Sequence, residues 1–235
     1  MLASIVEGSL PSDAPSANRS EGQLTILAPS RTSHRTEPRD GRLVRKRLLV
    51  VDDHPAVRAG LRDLLVGEPD FDVVAAVATA ESGIEVVEHE PVDVAVVDYQ
   101  LGGRNGLWLS RKLKRLREPP AVLIYSAYTD GVLAAAAVVA EADGIVSKGR
   151  LGADLVEAIR GVASGERYLP PLSPKLGESV RRRLDDQEQA IFGLLFAGIG
   201  PPELASTLGL SGAELESRLW GMLRRLESAP GTSGR

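Results

Sequence analysis

The sequence predicts an α/β protein, a doubly wound five-stranded parallel sheet, joined to a second, small all-α domain. Three observations carry that expectation. Between residues 47 and 164, short apolar runs alternate five times with stretches of helical spacing. The runs are apolar nearly throughout rather than at every second position, as strands covered on both faces require. Beyond residue 180 the strand-like runs cease and only helical spacing continues.

The elements follow in order. Residues 1–46 are rich in Ser, Pro, Thr, Gly and Arg, lack an apolar period, and are expected to form a disordered extension. Strand-like runs lie at 47–51, 71–77, 92–97, 121–125 and 144–147, and helices are expected at about 55–66, 80–89, 106–117, 131–141 and 151–164. Right-handed crossovers between parallel strands make this one domain over 47–168. Residues 169–180, with three prolines, are expected to be an interdomain linker. Helices then follow at about 185–197, 201–208 and 212–227 within a module at 181–228, and 229–235 form a tail. Gly198 and Gly209 stand where helices end, Pro201 and Pro202 where one starts, and Ser211 where an N-cap belongs.

Composition narrows the function. The 235 residues contain no cysteine, which excludes disulfide scaffolds, thiolate zinc sites and cysteine nucleophiles and suits a reducing cytoplasm. No apolar run reaches the roughly 18 residues of a membrane span, and the N-terminus lacks the basic start and apolar core of a secretory signal. The net charge of −4 is uneven: residues 1–47 carry +3, residues 48–168 carry −7 and the remainder is neutral. Bulk charge therefore announces no nucleic-acid partner.

In an open parallel sheet the ligand site lies beyond the carboxyl ends of the strands. There the sequence places Asp52 and Asp53 after the first strand, Asp98 after the third, Ser126 after the fourth and Lys148 after the fifth. Singly, each is an ordinary turn or surface residue. Together they form a rim of three carboxylates, a hydroxyl and an ammonium. Clustered carboxylates repel unless a cation joins them, and hard oxygen ligands suit Mg²⁺. A carboxylate can also attack a phosphoryl group, with Lys148 and Ser126 placed to steady the oxygens in flight. The sequence has no GxxxxGK[ST] loop, and 102–106 lacks dinucleotide-fingerprint spacing. His34, His54 and His89 lack metal-ligand spacing, although His54 falls beside the acidic pair. Residues 132–140 are apolar on nearly every face, so the fourth helix should have its outer side covered by a second copy or by the helical module.

The segments LLVVDDHPAVRAGLRDLL, VDVAVVDYQLGGRNG, VLIYSAY and ADGIVSKG resemble the receiver domain of two-component response regulators, a flavodoxin-like fold. That resemblance implies Asp98 as phosphoacceptor, Ser126 and Lys148 as the groups that grip the phosphoryl, and a Mg²⁺ ion held by Asp52, Asp53, Asp98 and the Gln100 carbonyl. It implies a sensor histidine kinase as phosphodonor and the fourth-helix face as a homodimer surface. Two positions depart from the family: Gly102 stands where a proline is usual, and Ile145 replaces the aromatic whose rotation accompanies switching.

Residues 184–226 resemble the LuxR-type helix-turn-helix, which implies DNA as partner, with Arg218, Arg224 and Arg225 as candidate contacts. The framework leucines agree. The surface does not: Glu214 and Glu216 replace the usual Thr and Lys, and residues 181–228 carry 6 basic against 7 acidic groups. The reading is a phosphorylation-controlled transcription regulator rather than an enzyme. Its alternatives are a module that binds a protein partner or its own receiver, and a phosphate sink.

Overall fold

The computed structural model describes residues 44–150, 152–171 and 173–227. The N-terminal extension up to residue 43 and the C-terminal tail lie outside the described residues. The strands β1 (Lys46–Val51), β2 (Phe71–Val77), β3 (Val94–Asp98), β4 (Ala121–Ser126) and β5 (Gly144–Ser147) form one sheet in the order β2-β1-β3-β4-β5, all pairs parallel. Because the chain leaves β1 toward β2 on one side and later returns to β3 on the other, the loops after β1 and β3 diverge. The crevice between them is where such sheets bind ligands.

Helices α1 (Pro55–Val66), α2 (Ala80–His89), α3 (Gly106–Leu113), α4 (Gly131–Val139) and α5 (Gly152–Ala163) connect the strands or follow the last one. Leu48, Val50, Val94 and Val96 face an apolar layer with Leu61, Leu65, Leu155 and Ile159. Leu49, Val51, Ala95 and Val97 face the opposite layer with Leu107, Leu109 and α4. The strands are thus apolar at successive positions because each face meets helices. Side-chain caps set several helix starts: Thr79 accepts from the Ser82 amide at 3.2 Å, Asn105 from Trp108 at 2.9 Å, and Asp130 from Leu133 at 2.8 Å.

The C-terminal part contains α6 (Pro174–Arg181), α7 (Asp186–Phe196), α8 (Pro201–Leu208) and α9 (Gly212–Glu227). Helix α6 corrects the expectation of an extended linker over 169–180. Pro174 occupies the first turn, where a proline initiates rather than breaks a helix, and the Ser173 hydroxyl accepts from the Leu176 amide at 3.2 Å. Leu176 and Val180 are buried. Asp185 and Glu188 form a reciprocal capping box on α7, and Ser211 and Glu214 do the same ahead of α9. Gly209 ends α8 with φ 65°, a left-handed turn that glycine adopts freely.

The apolar residues of α4 from Leu133 to Ala140 are buried. One side of the helix lies on the sheet. The other is covered by α6, α7 and α9, so the apolar cluster runs without a break from Leu49 and Val97 through α4 to Leu176, Phe192, Leu219 and Leu223. The face expected as a homodimer surface is therefore occupied, in this state, by the chain's own helical module. Of the two covers considered for it, the structure selects the second.

Candidate phosphoacceptor site and the module interface

The rim expected from the sequence is assembled. Asp98, the last residue of β3, is 4% exposed, and Asp52 and Ser126 are buried at the ends of β1 and β4. The Lys148 ammonium reaches across from beyond β5 to Asp52 Oδ2 at 2.7 Å and Asp98 Oδ2 at 2.8 Å. Its own amide donates to the Ser126 carbonyl at 2.7 Å, which fixes the lysine's root against β4. The Gln100 amide donates to Asp98 Oδ1 at 3.2 Å. The Ser126 hydroxyl accepts from the Tyr128 amide at 3.1 Å, leaving its proton available to a ligand oxygen.

Gly106 is what brings the loop after Asp98 so close. A Cβ at this position would lie 2.3 Å from the Asp98 carbonyl oxygen, so only glycine permits α3 to begin there.

The electrostatics match an acidic pocket short of positive charge. Burial raises the Asp98 carboxyl above its usual range, and the bonds from Lys148 only partly oppose this. Burial works against the Lys148 ammonium too, but its bonds to Asp52 and Asp98 outweigh it and hold the lysine above its usual value. Asp52, Asp53, His54 and Asp98 bring their donor atoms within 4.8 Å of one another. Asp53 Oδ1 is buried and accepts no hydrogen bond, although the His54 ring nitrogen lies 2.7 Å from it, and Asp53 Oδ2 accepts from the Gly102 amide at 3.1 Å. A hard divalent cation fits this donor set: oxygen-rich, anionic, with one buried oxygen lacking a hydrogen-bond donor.

Residues 48–160 match the response regulator receiver domain family. The chain is 30% identical over 189 residues to the response regulator UvrY of Escherichia coli, covering 76% of this chain and 87% of that one. It is 32% identical to the DNA-binding transcriptional activator DevR/DosR of Mycobacterium tuberculosis, covering 78% of this chain and 92% of the other. The chain belongs to the two-component response regulators. A LuxR-family response regulator from Aurantimonas superposes with a TM-score of 0.53 at 31% identity, over 57% of this chain and 96% of the other. This response regulator thus pairs a receiver with a helix-turn-helix output module.

Ile145 is 7% exposed and packed in the core, whereas Tyr128 is 60% exposed. No helix among the described residues is long and apolar enough to cross a membrane.

The interface between the two parts joins polar and charged groups of α3 and its flanks, together with Arg167, to α9 and α7. Arg111 of α3 is completely buried, donating to the Val139 carbonyl at 3.0 Å, to Glu141 at 2.8 Å and to Glu216 of α9. Arg115, one turn on, donates from Nε to Glu216 at 2.9 Å and pairs with Glu141 as well. Glu141 reaches both because its backbone turns left-handed at the end of α4, with φ 58°. That conformation costs a non-glycine residue about 1 kcal/mol or more. The Arg111 guanidinium also lies 5.5 Å from the centroid of the Trp220 ring, and the Lys112 ammonium 6.0 Å. Farther along α9, Glu227 accepts from the Asn105 side chain at 2.6 Å. Arg167 donates to the Leu195 and Phe196 carbonyls at the end of α7, both at 2.9 Å. Arg111 and Ser110 are the polar residues on the buried side of α3, and an arginine there needs carboxylate partners.

The candidate DNA contacts are not equally placed. Arg218 donates to Gln187 at 2.7 Å and Arg225 pairs with the buried Glu188, both inside the module. Arg224 is exposed.

Proposed function

We propose that this protein is a phosphorylation-controlled transcription regulator whose output module binds DNA when released from its receiver. The carrying observation is the Asp98 carboxylate at the end of β3, gripped by Lys148 and flanked by Asp52, Asp53 and Ser126. A carboxylate oxygen of Asp98 attacks the phosphorus of a histidine kinase's phosphoimidazole. The P–N bond breaks, its electron pair returns to the imidazole, and an acyl phosphate remains on Asp98. Lys148 moves a donor from the carboxylate to a phosphoryl oxygen, and the Ser126 hydroxyl donates to another. Asp52, Asp53, Asp98 and the Gln100 carbonyl would hold Mg²⁺, which supplies positive charge against the phosphoryl oxygens.

The docked module is the silent form in this reading. The stripe Glu216–Trp220–Glu227 of α9 faces the receiver, so the helix that would enter a major groove is turned inward. The loop after Asp98 leads directly into α3, whose N-cap Asn105 holds Glu227 and whose Arg111 holds Glu216. The loop after Ser126 leads into α4, on which α9 rests. An acyl phosphate adds about −1.5 to −2 charges to this rim, and both loops must adapt to it. Release also uncovers α4, the surface through which two receivers could pair, so homodimerisation and closure exclude each other.

The test is labelling with a small phosphodonor and Mg²⁺, followed by DNA binding. Wild type should acquire acid-stable, base-labile label and Asp98→Asn should not. Label persisting in Asp98→Asn overturns the assignment of the acceptor. The domain limits expected from the sequence, receiver at 47–168 and module at 181–228, can be tested by expressing each part alone and measuring its folding.

A further inference from the structure

We propose that Glu216 is a base-reading residue, accepting a hydrogen bond from a cytosine amino group in the major groove. The inference rests on the DNA-binding reading above and deepens it to a specificity.

Glu216 is the fifth residue of α9, and the first half of a recognition helix carries the side chains that meet base edges. Leu215, Leu219, Met222 and Leu226 are buried. Glu216 and Trp220, four apart, lie beside that buried row and form the stripe the module presents outward. Of the other acidic side chains near this face, Glu227 lies at the far end of α9 and accepts from the receiver's Asn105, while those near the start of the helix are already committed within the module. Glu214 is bound to the Ser211 amide and hydroxyl at 2.8 and 2.7 Å, and Glu188 to Arg225. Glu216 differs: its hydrogen-bond partners are the receiver's Arg111 and Arg115. Release strips it of both donors at once.

A carboxylate in that position must then find new N–H donors or repel the backbone phosphates. In the major groove the cytosine N4 amino group is an N–H donor that suits it, whereas guanine offers acceptors at N7 and O6. The same carboxylate therefore has two alternative occupations, the guanidinium groups of the receiver or the exocyclic amine of a base. In the closed form burial would raise the Glu216 carboxyl, but Arg111 and Arg115 hold it below its usual range, so the receiver meets it as an ionised acceptor.

The experiment is selection from a random-sequence DNA duplex library by the full chain with phosphodonor and Mg²⁺, run in parallel with Glu216→Gln and Glu216→Ala. Wild type should enrich a motif with one cytosine preferred roughly five- to twentyfold, the lower part of the range because one carboxylate oxygen meets one amino proton. Glu216→Gln should move that position toward adenine, whose N6 and N7 match an amide, and Glu216→Ala should make it indifferent. Both substitutions also loosen the closed form and so change how much DNA is bound. They do not thereby change which base is chosen. An identical base preference in all three chains overturns the inference while DNA binding stands. No enriched motif from any of them, with Asp98 phosphorylated, overturns the DNA reading itself.

Discussion

Glu216 of the output module accepts hydrogen bonds from Arg115 Nε at 2.9 Å and Arg115 Nη2 at 2.8 Å in the receiver, beside a third bond from the fully buried Arg111. A carboxylate that would repel DNA phosphates thus attracts the receiver. The two guanidinium groups also share Glu141, so four charges form one network, two positive and two negative. Such a network favours one docking geometry more than it favours docking in general, because each charge is costly to bury unless the others are in register.

Reversal of that charge should open the protein. In Glu216→Arg a third cation meets Arg111, which has no route to solvent, and the closed form should lose about 3 kcal/mol, roughly a hundredfold in the closed-to-open ratio. Small-angle scattering should show a larger radius of gyration, and residues 169–173 should become protease-sensitive. Adding Arg115→Glu should restore part of the compaction. A compact Glu216→Arg protein would show that apolar packing on α4 alone holds the module.

Two glutamates of α9 make closure depend on pH with opposite signs. Glu216 is held below its usual range, so its contribution is complete above the ordinary glutamate value of about 4.3 and is lost as pH falls through its depressed value. Burial raises Glu227, with the Asn105 bond only partly opposing it. Its contribution is complete below the ordinary value and fades as pH rises through the raised one. Emission from Trp220 in a Trp108→Phe background reports docking. The difference between wild type and Glu216→Gln should shrink on acidification. Relative to wild type, Glu227→Gln should keep the module docked better at neutral pH. Equal pH profiles in all three would refute the assignments.

The strands, the rim and the helical module were legible in the sequence because each leaves a local signature. Leu48–Val51 announces a strand covered on both faces, and Asp52, Asp98 and Lys148 fall at carboxyl ends of parallel strands, which share one rim of the sheet. Helix α6 was hidden by its prolines, since Pro174 at a helix start and Pro170 in a loop look alike until Ser173 is seen capping the helix. The interface was hidden for a different reason. Arg111 and Glu216 are 105 residues apart, and no periodicity connects them. The apolar fourth helix gave the one usable hint, that something covers it, without identifying the cover. Glu216 looked merely atypical when judged against DNA. Its partner lay in the other half of the chain.

Gly106 is the tightest point between the acceptor and the module. In Gly106→Ala the new Cβ would meet the Asp98 carbonyl at 2.3 Å and the Val97 side chain at 3.0 Å. Because the first obstacle is backbone, the start of α3 must move, carrying Asn105 and its bond to Glu227. Overpacking of this kind costs about 1–3 kcal/mol. Thermal unfolding should fall accordingly, and the module should dock less tightly even without phosphodonor. Unchanged docking alongside a lowered melting temperature would separate the stability of α3 from its role in holding α9.

Lys148 is the cation that lets Asp52 and Asp98 be buried 2.7 and 2.8 Å from the same ammonium. Lys148→Met keeps most of the aliphatic stem but leaves two buried carboxylates facing each other. Loss of one partner from a buried pair costs about 3 kcal/mol or more, and Asp98, already raised by burial, should rise further. The protein should therefore melt lower than wild type at neutral pH and recover part of the loss at mildly acidic pH, where Asp98 takes up a proton. Added Mg²⁺ should also raise the variant's melting temperature by more than it raises that of wild type, because in wild type the lysine already offsets part of the carboxylate charge. An equal Mg²⁺ shift in both proteins would show that the ion and the ammonium act on different carboxylates. Phosphorylation separates the lysine's two roles, since a variant restored in stability by Mg²⁺ should still label more slowly for want of the donor that Lys148 brings to the phosphoryl oxygen.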